Sequence, residues 1–185
     1  MEDEGNLLLR MRKIFSGEME EGEDAAEAVM DMVDEGYRQG VFLSSEAQMI
    51  RNIFAYGEKD AKSIMTHRKH MVALDGEETL ENALTFILEQ NKSRFPVYEE
   101  DIDSIIGTIH LRDAMKCYFN EQLRHIPIKQ LKEYIRPVSF IPETRSIDKL
   151  LKKMQEGKYH MAIVIDEYGQ TAGLVTMEDI IEEIV

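Results

Sequence analysis

Apolar residues recur at two different spacings along the chain, and the spacing changes near residue 64. Before that point, they follow the three- and four-residue intervals of amphipathic helices. Glycines interrupt this pattern, and Ser44 or Ser45 is a suitable N-terminal cap for a helix that ends at Gly57. The pattern predicts helices over residues 25–37 and 44–57, followed by a short third helix over 60–65.

After residue 64 the chain contains the same series of elements twice. Each series is a short apolar strand, an amphipathic helix, two further strands joined by a polar turn, and a closing helix. The first series has strands at 71–74, 94–98 and 105–109 and helices that begin near Leu80 and Leu111. The second has strands at 138–141, 160–165 and 172–175 and helices that begin near Ile147 and Met177.

The two series match residue by residue, which identifies an internal repeat. The matching positions are 67 residues apart in the helix and 66 residues apart from the following strand onward. A one-residue difference in the loop between that helix and that strand explains the change. Matched pairs are Leu80 with Ile147, Leu84 with Leu151, Phe95 with Met161, Gly107 with Gly173, and Asp113 with Asp179.

A single unit of this kind is too small to bury its apolar surface. We therefore predict an α/β (α+β) fold in which two β-α-β-β-α repeats pack sheet to sheet with pseudo-twofold symmetry, leaving two related clefts. N-terminal helices precede the repeats. The predicted divisions are a flexible acidic tail at 1–24, a helical lead-in at 25–63, and repeats at 64–122 and 123–185. Alternatively, the tail contains a docking helix for a partner or a membrane surface, although its acidity argues against an anionic membrane.

Charge and composition narrow the classes of partner. The formal net charge of −14 argues against nucleic acid, because phosphate backbones require clustered Lys and Arg. Cys117 is the only cysteine, which suggests a reducing compartment. No apolar run approaches the roughly 18–20 residues of a membrane span, and the first residues do not resemble a signal peptide. We expect a cytoplasmic protein or the cytosolic part of a membrane protein, and the apolar-acidic final residues suggest a truncated chain.

The repeat resembles a pair of CBS domains, a Bateman module, of the type found in the CorC/HlyC and cyclin-M-type transporter-associated proteins. The stretches that carry this resemblance are 35–68, which ends in a Met-Thr-Pro-Arg-like motif with His67 in place of proline, and 93–97, 159–169 and 173–180. The resemblance implies one ligand site in each cleft, for AMP, ADP or ATP. Magnesium would be bound through the nucleotide phosphates.

The motif expected at such a site is Gly-x-h-Ser/Thr-x-x-Asp, in which h is apolar. The second repeat has it complete, as Gly173, Thr176 and Asp179. A carboxylate in the first turn of a helix is favoured there, and its two oxygens can accept both ribose hydroxyls. The Thr hydroxyl and free backbone N–H groups can meet a phosphate. The structural alternative is helix capping by the same two side chains, and the two roles are compatible.

The first repeat departs from this motif. It has Gly107 and Asp113, but His110 stands where Ser or Thr is expected. We therefore predict that the cleft at Thr176 and Asp179 binds the nucleotide, and that the other is empty, weaker or differently used.

Other residues are assigned to the nucleotide site by their position in the resemblance. Apolar groups from the second repeat would surround the adenine, the segment before the first repeat would reach the ligand, and arginines would contact phosphate. These candidates are Val138, Phe140, Met161, Ala162, Thr66, Arg68, Arg94 and Arg136. Solvated or structural roles are the alternative for four of them: Thr66, Arg68, Arg94 and Arg136.

The sequence offers little for catalysis or for a metal site made by the protein alone. Cys117 has no evident base, and the nucleophile elbow and phosphate loop motifs are missing. His67 and His70 lack further ligands in an obvious position. The resemblance implies a non-enzymatic module that forms a homodimer, is associated with a membrane ion-transport domain or protein, and regulates magnesium or cobalt efflux. The alternative is a structural dimerisation module with an empty cleft.

Overall fold

The computed structural model describes residues 23–185, and these residues divide into two units. The first contains the described residues up to Lys59 together with Ile181–Val185, and the second is Asp60–Ile180. The expected tail and its alternative as a docking helix lie outside the described residues. Only residues 23 and 24 of the tail are described, and they already belong to a helix.

The first unit consists of the predicted N-terminal helices and the end of the chain. Helix α1 is Glu23–Arg38 and helix α2 is Ser44–Tyr56. Ala28 and Val33 of α1 and Ala47 of α2 are buried, Ala47 completely. Polar contacts add to this burial: Arg51 contacts Asp34 at 2.9 Å, and Lys59 pairs with Glu183.

The second unit contains both repeats. In chain order its elements are α3 (Ala61–Ile64), β1 (Thr66–His67), a 3-10 turn (Arg68–His70), β2 (Leu74–Asp75), α4 (Leu80–Glu89), β3 (Arg94–Tyr98), β4 (Ile105–His110), α5 (Leu111–Tyr118), α6 (Glu121–Arg124), a second 3-10 turn (Ile128–Gln130), β5 (Ile135–Arg136), β6 (Ser139–Pro142), α7 (Ile147–Gly157), β7 (Met161–Ile165), β8 (Thr171–Thr176) and α8 (Met177–Glu182). The last residues of α8 are counted with the first unit.

Two four-stranded sheets form the centre of this unit. The first has the strand order β2-β3-β4-β5 and the second the order β1-β8-β7-β6. In each, the first strand of the repeat pairs in parallel with the second, and the second pairs antiparallel with the third. The predicted mixed α/β class and the repeated order of elements are confirmed.

Each sheet takes its fourth strand from the segment that precedes the other repeat. Strand β1, ahead of the first repeat, pairs with β8, and β5, ahead of the second repeat, pairs with β4. These two-residue strands were not predicted as strands, because they are too short to show an alternating pattern. Because of this exchange, the sheet of each repeat is hydrogen-bonded to the segment that precedes the other repeat.

Gly107 and Gly173, matched in the sequence, lie where these exchanged strands approach closely. A Cβ atom on Gly107 would come within 2.6 Å of the Arg136 carbonyl oxygen, and one on Gly173 would collide with the Thr66 carbonyl oxygen. Such distances are far inside van der Waals contact. Each glycine therefore makes room for an edge strand, in addition to any role beside a ligand.

Apolar residues from both sheets form a shared core. Ile105 of the first sheet is buried together with Met161, Ile163 and Leu174 of the second. The first repeat also has its own core between its sheet and helices, which includes Leu80, Ile87, Phe95, Ile109 and Ile128. The shared core confirms that the two sheets pack against each other.

Two details of the sequence prediction were wrong. The first predicted strand, 71–74, is reduced to β2 (Leu74–Asp75), because the chain before it forms a 3-10 turn that ends at Met71. The one-residue difference between repeats lies in the turn between the antiparallel strands, not before them. Val97 pairs with Gly107, and Val164 pairs with Gly173, so that Phe95 corresponds to Ala162 and not to Met161.

The close approach at Gly107 predicts a specific cost of adding a methyl group. Gly107→Ala should destabilise the folded chain by about 1–3 kcal/mol, because the new Cβ must displace backbone and Ile135. Gly57→Ala is the control, because the nearest atom to its added Cβ is 3.8 Å away. Urea unfolding followed by circular dichroism measures both. Equal stability of the two variants would contradict the edge-strand account.

Candidate functional site

The two repeats place their matched motif residues at equivalent positions, each at the end of a strand and the start of a closing helix. We call the region around Gly173, Thr176 and Asp179 the Thr176 cleft. The region around Gly107, His110 and Asp113 is the His110 cleft. The exchanged strand β1 borders the first and β5 borders the second.

In the Thr176 cleft, Thr176 and Asp179 cap helix α8. The Asp179 Oδ2 atom accepts the backbone N–H and the hydroxyl of Thr176, both at 2.7 Å, and the Asp179 N–H donates to Thr176 Oγ1 at 3.2 Å. The capping role considered in the sequence analysis is therefore present. Within residues 23–185, Asp179 Oδ1 has no hydrogen-bond partner, so one carboxylate oxygen is available to a ligand.

The segment that leads into the first repeat lies beside this cleft. Thr66 pairs with Leu174, and Thr176 lies two residues further along β8, so all three side chains are on one face of the sheet. Arg68 is bound elsewhere: its guanidinium group contacts the Asp103 carboxylate at 3.2 Å. To reach a ligand, Arg68 would have to exchange this ion pair for a phosphate.

The His110 cleft encloses a cavity of about 430 Å³. This volume is within the range of small-molecule sites, about 300–1,000 Å³. The cavity lies between the ends of β3 and β4, the start of α5, and the loop after α7. Its lining residues are Arg94, Thr108, His110, Arg112, Asp113, Arg136, Pro137, Val138, Gly157, Lys158, Tyr159, His160 and Met161.

Four residues that the sequence analysis grouped with Thr176 therefore line the His110 cleft. They are Arg94, Arg136, Val138 and Met161. For Arg136 and Val138 the reason is the exchange of edge strands, which the sequence pattern did not reveal. Because β5 and the residues after it lie beside β4, they contribute to the first repeat's cleft and not to that of their own repeat.

The other two apolar candidates are less suited to hold an adenine ring. Phe140 lies on β6 at the edge of its sheet and is 47% exposed. Ala162 is fully buried, and because it follows Met161 on β7 its side chain points to the opposite face of the sheet. On the face of the sheet where the Met161 side chain lies, Ala162 can therefore contact a ligand through its backbone but not through its side chain.

Asp113 differs from its counterpart Asp179 in its partners. Its Oδ1 atom accepts a hydrogen bond from Lys116 Nζ at 3.0 Å, and its side chain is 9% exposed. This hydrogen bond lowers the pKa of Asp113, and the charges of Lys116, Arg112 and Arg136 add to the effect, although burial opposes it. The carboxylate is thus ionised and already paired within its own helix.

His110 takes the capping place that Thr176 has in the other cleft. Its Nδ1 atom accepts the backbone N–H of Arg112 at 3.0 Å, which requires that nitrogen to be unprotonated. Burial lowers the pKa of His110, and the positive charges of Arg94 and Arg112 lower it further. Neutral imidazole is therefore the favoured form at pH 7.

Two cationic lining residues were missed by the sequence analysis. Arg112 follows His110 by two positions, and Lys158 follows the end of α7, where it adopts the left-handed conformation with φ of 52°. The motif search was limited to the Gly, Thr and Asp positions, so residues between them were not considered. Lys158 reaches the cavity only through the packing of the second repeat against the first, which has no local sequence signal.

Cys117 has no role at either cleft. It is fully buried in the core of the first repeat, and burial raises the pKa of its thiol to about 11. A thiol with this pKa is a poor nucleophile at pH 7. Among residues 23–185, no group of three or more His, Cys, Asp and Glu side chains is arranged to hold a metal ion. In the same range, no helix is both long and apolar enough to cross a membrane.

Comparisons with known proteins identify the fold and both repeats. Residues 61–120 and 128–185 each match the CBS domain family. The structure of the CBS domain of the bacterial CNNM/CorC family Mg2+ transporter is 38% identical, with a TM-score of 0.77 over 90% of this chain and 97% of that one. A structure of that CBS domain in complex with ATP is 42% identical, with a TM-score of 0.69 over 75% and 96% of the two chains.

Full-length relatives give the same result. UPF0053 protein YugS of Bacillus subtilis is 41% identical over 83% of this chain and 35% of its own length. The magnesium and cobalt efflux protein CorC of Vibrio cholerae is 33% identical over 95% of this chain and 58% of its own length. The chain thus spans between about one third and three fifths of these two relatives.

With two matched repeats and two sheets that exchange edge strands, the chain is a tandem CBS-domain pair. It belongs to the CNNM/CorC family of Mg2+ transporter proteins, and it corresponds to the CBS module of that family.

The ion pair at Asp113 predicts a pH-dependent contribution to stability. Because the pKa of Asp113 is lowered on folding, the contribution is present above the unfolded value of about 3.9 and is lost as pH falls through the folded value. Lys116→Gln should cost under about 1 kcal/mol at pH 7, since Lys116 is 60% exposed. Urea unfolding of the wild type and the variant, at pH 7 and at the lowest pH that keeps the chain folded, measures the difference in their free energies of unfolding. This difference should become smaller in acid.

Lys152→Gln is the matched control, because Lys152 is exposed on α7 and has no carboxylate partner within the described residues. Its effect should be smaller than that of Lys116→Gln at pH 7. If the loss of stability caused by Lys116→Gln does not depend on pH, this would contradict the role assigned to the Asp113 carboxylate.

Proposed function

We propose that the chain is a regulatory module that binds an adenine nucleotide in the Thr176 cleft. The observation that carries the proposal is the complete Gly173, Thr176 and Asp179 motif, placed where β8 meets α8. The ATP complex of the 42% identical CBS domain supports nucleotide binding in this family. AMP, ADP and ATP are all candidate ligands.

The chemistry of the cleft suits a ribose and a phosphate. Asp179 retains one carboxylate oxygen without a partner, and the second oxygen can exchange its bonds to Thr176 for bonds to a ribose hydroxyl. The Thr176 hydroxyl would then be available to the ligand. Thr66 lies on the same face of the sheet and can contact the nucleotide from the exchanged strand.

Phosphate binding would recruit Arg68 and a magnesium ion. Arg68 is one third exposed in its ion pair with Asp103, and a phosphate is a stronger bidentate partner for a guanidinium group. The protein has a net charge of −14, so a polyphosphate would be repelled unless its charge is partly neutralised. Mg2+ held by phosphate oxygens and water provides this neutralisation without requiring protein ligands.

The proposed regulatory effect follows from the exchanged strand. A nucleotide that contacts Thr66 on β1 and Thr176 on β8 bridges the segment ahead of the first repeat and the sheet of the second. It would stabilise one arrangement of these elements, and only its difference in affinity between arrangements can shift their populations. In a CorC-like protein, the process under control would be divalent-cation efflux, with the module in the cytoplasm beside a membrane ion-transport domain.

We also propose that the module acts as a homodimer. Large apolar side chains remain exposed on the helical side of the first repeat: Phe86 and Leu88 of α4 and Phe119 after α5 are 43%, 56% and 77% exposed. A second copy is a suitable cover for such residues.

One observation favours the alternative of a structural module without a ligand. Thr176 and Asp179 Oδ2 bond to each other as a capping pair, so the motif has a structural use even when the cleft is empty. Binding measurements must therefore separate loss of the cap from loss of the ligand contact.

Calorimetric titration with AMP, ADP and ATP, with and without Mg2+, tests the proposal. Asp179→Ala should weaken nucleotide binding by about 10- to 150-fold, because a hydrogen-bonded carboxylate is lost. Asp179→Asn can still accept the Thr176 N–H and so retains much of the cap, but it should also bind weakly. Asp113→Asn is the matched control in the other cleft and should leave nucleotide binding unchanged.

Thermal unfolding of each variant shows whether the cap has been lost. A wild-type chain that binds no nucleotide at millimolar concentration would overturn the proposal and favour the structural module. Nucleotide binding that is lost in Asp113→Asn but kept in both Asp179 variants would place the site in the His110 cleft instead.

A further inference from the structure

The His110 cleft has a composition that the nucleotide proposal does not use. We propose that it is a separate binding site for a phosphorylated anion, recognised through its phosphoryl oxygens and not through a ribose diol. Suitable ligands are inorganic pyrophosphate or tripolyphosphate and small phosphorylated metabolites.

Four cationic side chains line this one cavity: Arg94, Arg112, Arg136 and Lys158. Across residues 23–185, none of the four forms an ion pair with a carboxylate, although the protein has 36 acidic residues and a net charge of −14. Gathering unpaired positive charges in one cavity costs electrostatic free energy. A bound polyanion would recover that cost and satisfy several guanidinium donors at once.

Among the residues that the structure describes, Asp113 is the one carboxylate that lines the cavity, and it is more buried than Asp179. Asp113 is buried and held by Lys116 at 3.0 Å within α5. Its counterpart Asp179 is partly exposed and bonded only to the neutral groups of Thr176. Four of the five charged side chains that line the cavity are therefore cations, and its one carboxylate is less accessible than Asp179.

The contrast between the clefts is clearest at equivalent positions. By the strand and helix registers, Arg112 corresponds to Glu178, Arg136 to Thr66, and Lys158 to Asn91. Three cations in the His110 cleft are therefore replaced by one acid and two neutral groups in the Thr176 cleft. By the same register, Tyr159 and Met161 of the His110 cleft correspond to Lys92 and Arg94, so the two clefts differ in where their cations lie.

Two of the four cations are carried by strands of one sheet. Strand β5 brings Arg136 to Thr108, and β3 pairs Arg94 with His110, so both arginines are attached to the same sheet as the floor of the cavity. With about 430 Å³, the cavity has room for two or three phosphoryl groups and their water.

The test is calorimetric titration of the full chain with sodium tripolyphosphate, without nucleotide or Mg2+, at low ionic strength. The wild-type chain should bind one equivalent, and the double variant Arg112→Gln/Arg136→Gln should bind at least tenfold more weakly. The matched control is Lys152→Gln/Lys153→Gln, which removes the same charge from exposed positions on α7. It should bind like the wild type, as should Asp179→Ala.

Three results would overturn the proposal: no saturable binding, equal weakening in the lysine control, or loss of binding in Asp179→Ala. Equal weakening would indicate long-range attraction only, and loss in Asp179→Ala would place the phosphates in the Thr176 cleft. Titrating the same proteins with ATP in the presence of excess tripolyphosphate, which fills the His110 cleft, separates the two proposals. If tripolyphosphate does not bind, the loss of nucleotide binding in Asp179→Ala can still be measured. If no nucleotide binds, the weaker tripolyphosphate binding of Arg112→Gln/Arg136→Gln can still be measured.

Discussion

The exchange of edge strands between the repeats is the constraint on which the rest of the structure depends. Each sheet is completed by two residues that precede the other repeat, and each of these strands passes a glycine that leaves no room for a side chain. Together with the apolar residues shared between the sheets, this pairing joins the repeats into one folding unit. Neither repeat has a complete sheet without the chain that leads into the other.

The same exchange determines which side chains meet in each cleft. Because β5 borders the His110 cleft and β1 borders the Thr176 cleft, each site is built from both repeats. A pseudo-symmetric backbone then allows two different chemistries. One cleft has a carboxylate and hydroxyl that suit a nucleoside, and the other has arginines that suit phosphoryl oxygens. A change in either cleft can affect how the edge strand is held.

The sequence was sufficient to predict the repeat, the class of fold and the motif at Thr176 and Asp179, because these depend on local periodicity and short spacings. It was insufficient for β1 and β5, since two residues have no period, and it therefore did not indicate that Arg136 and Val138 line the His110 cleft. Lys158 was missed for the same reason: it enters the cavity through contacts between distant parts of the chain. The misplaced insertion shows that strand register can be assigned only once the pairing is known.

The central claim is that a nucleotide occupies the Thr176 cleft, and amide chemical shifts measured by NMR during an ATP titration test it directly. The account predicts saturable shifts at Thr176, Glu178 and Asp179 and at Thr66 on the exchanged strand, and these shifts should persist when excess tripolyphosphate occupies the His110 cleft. Saturable shifts confined to the His110 cleft, or no saturable shift in either cleft, would contradict it.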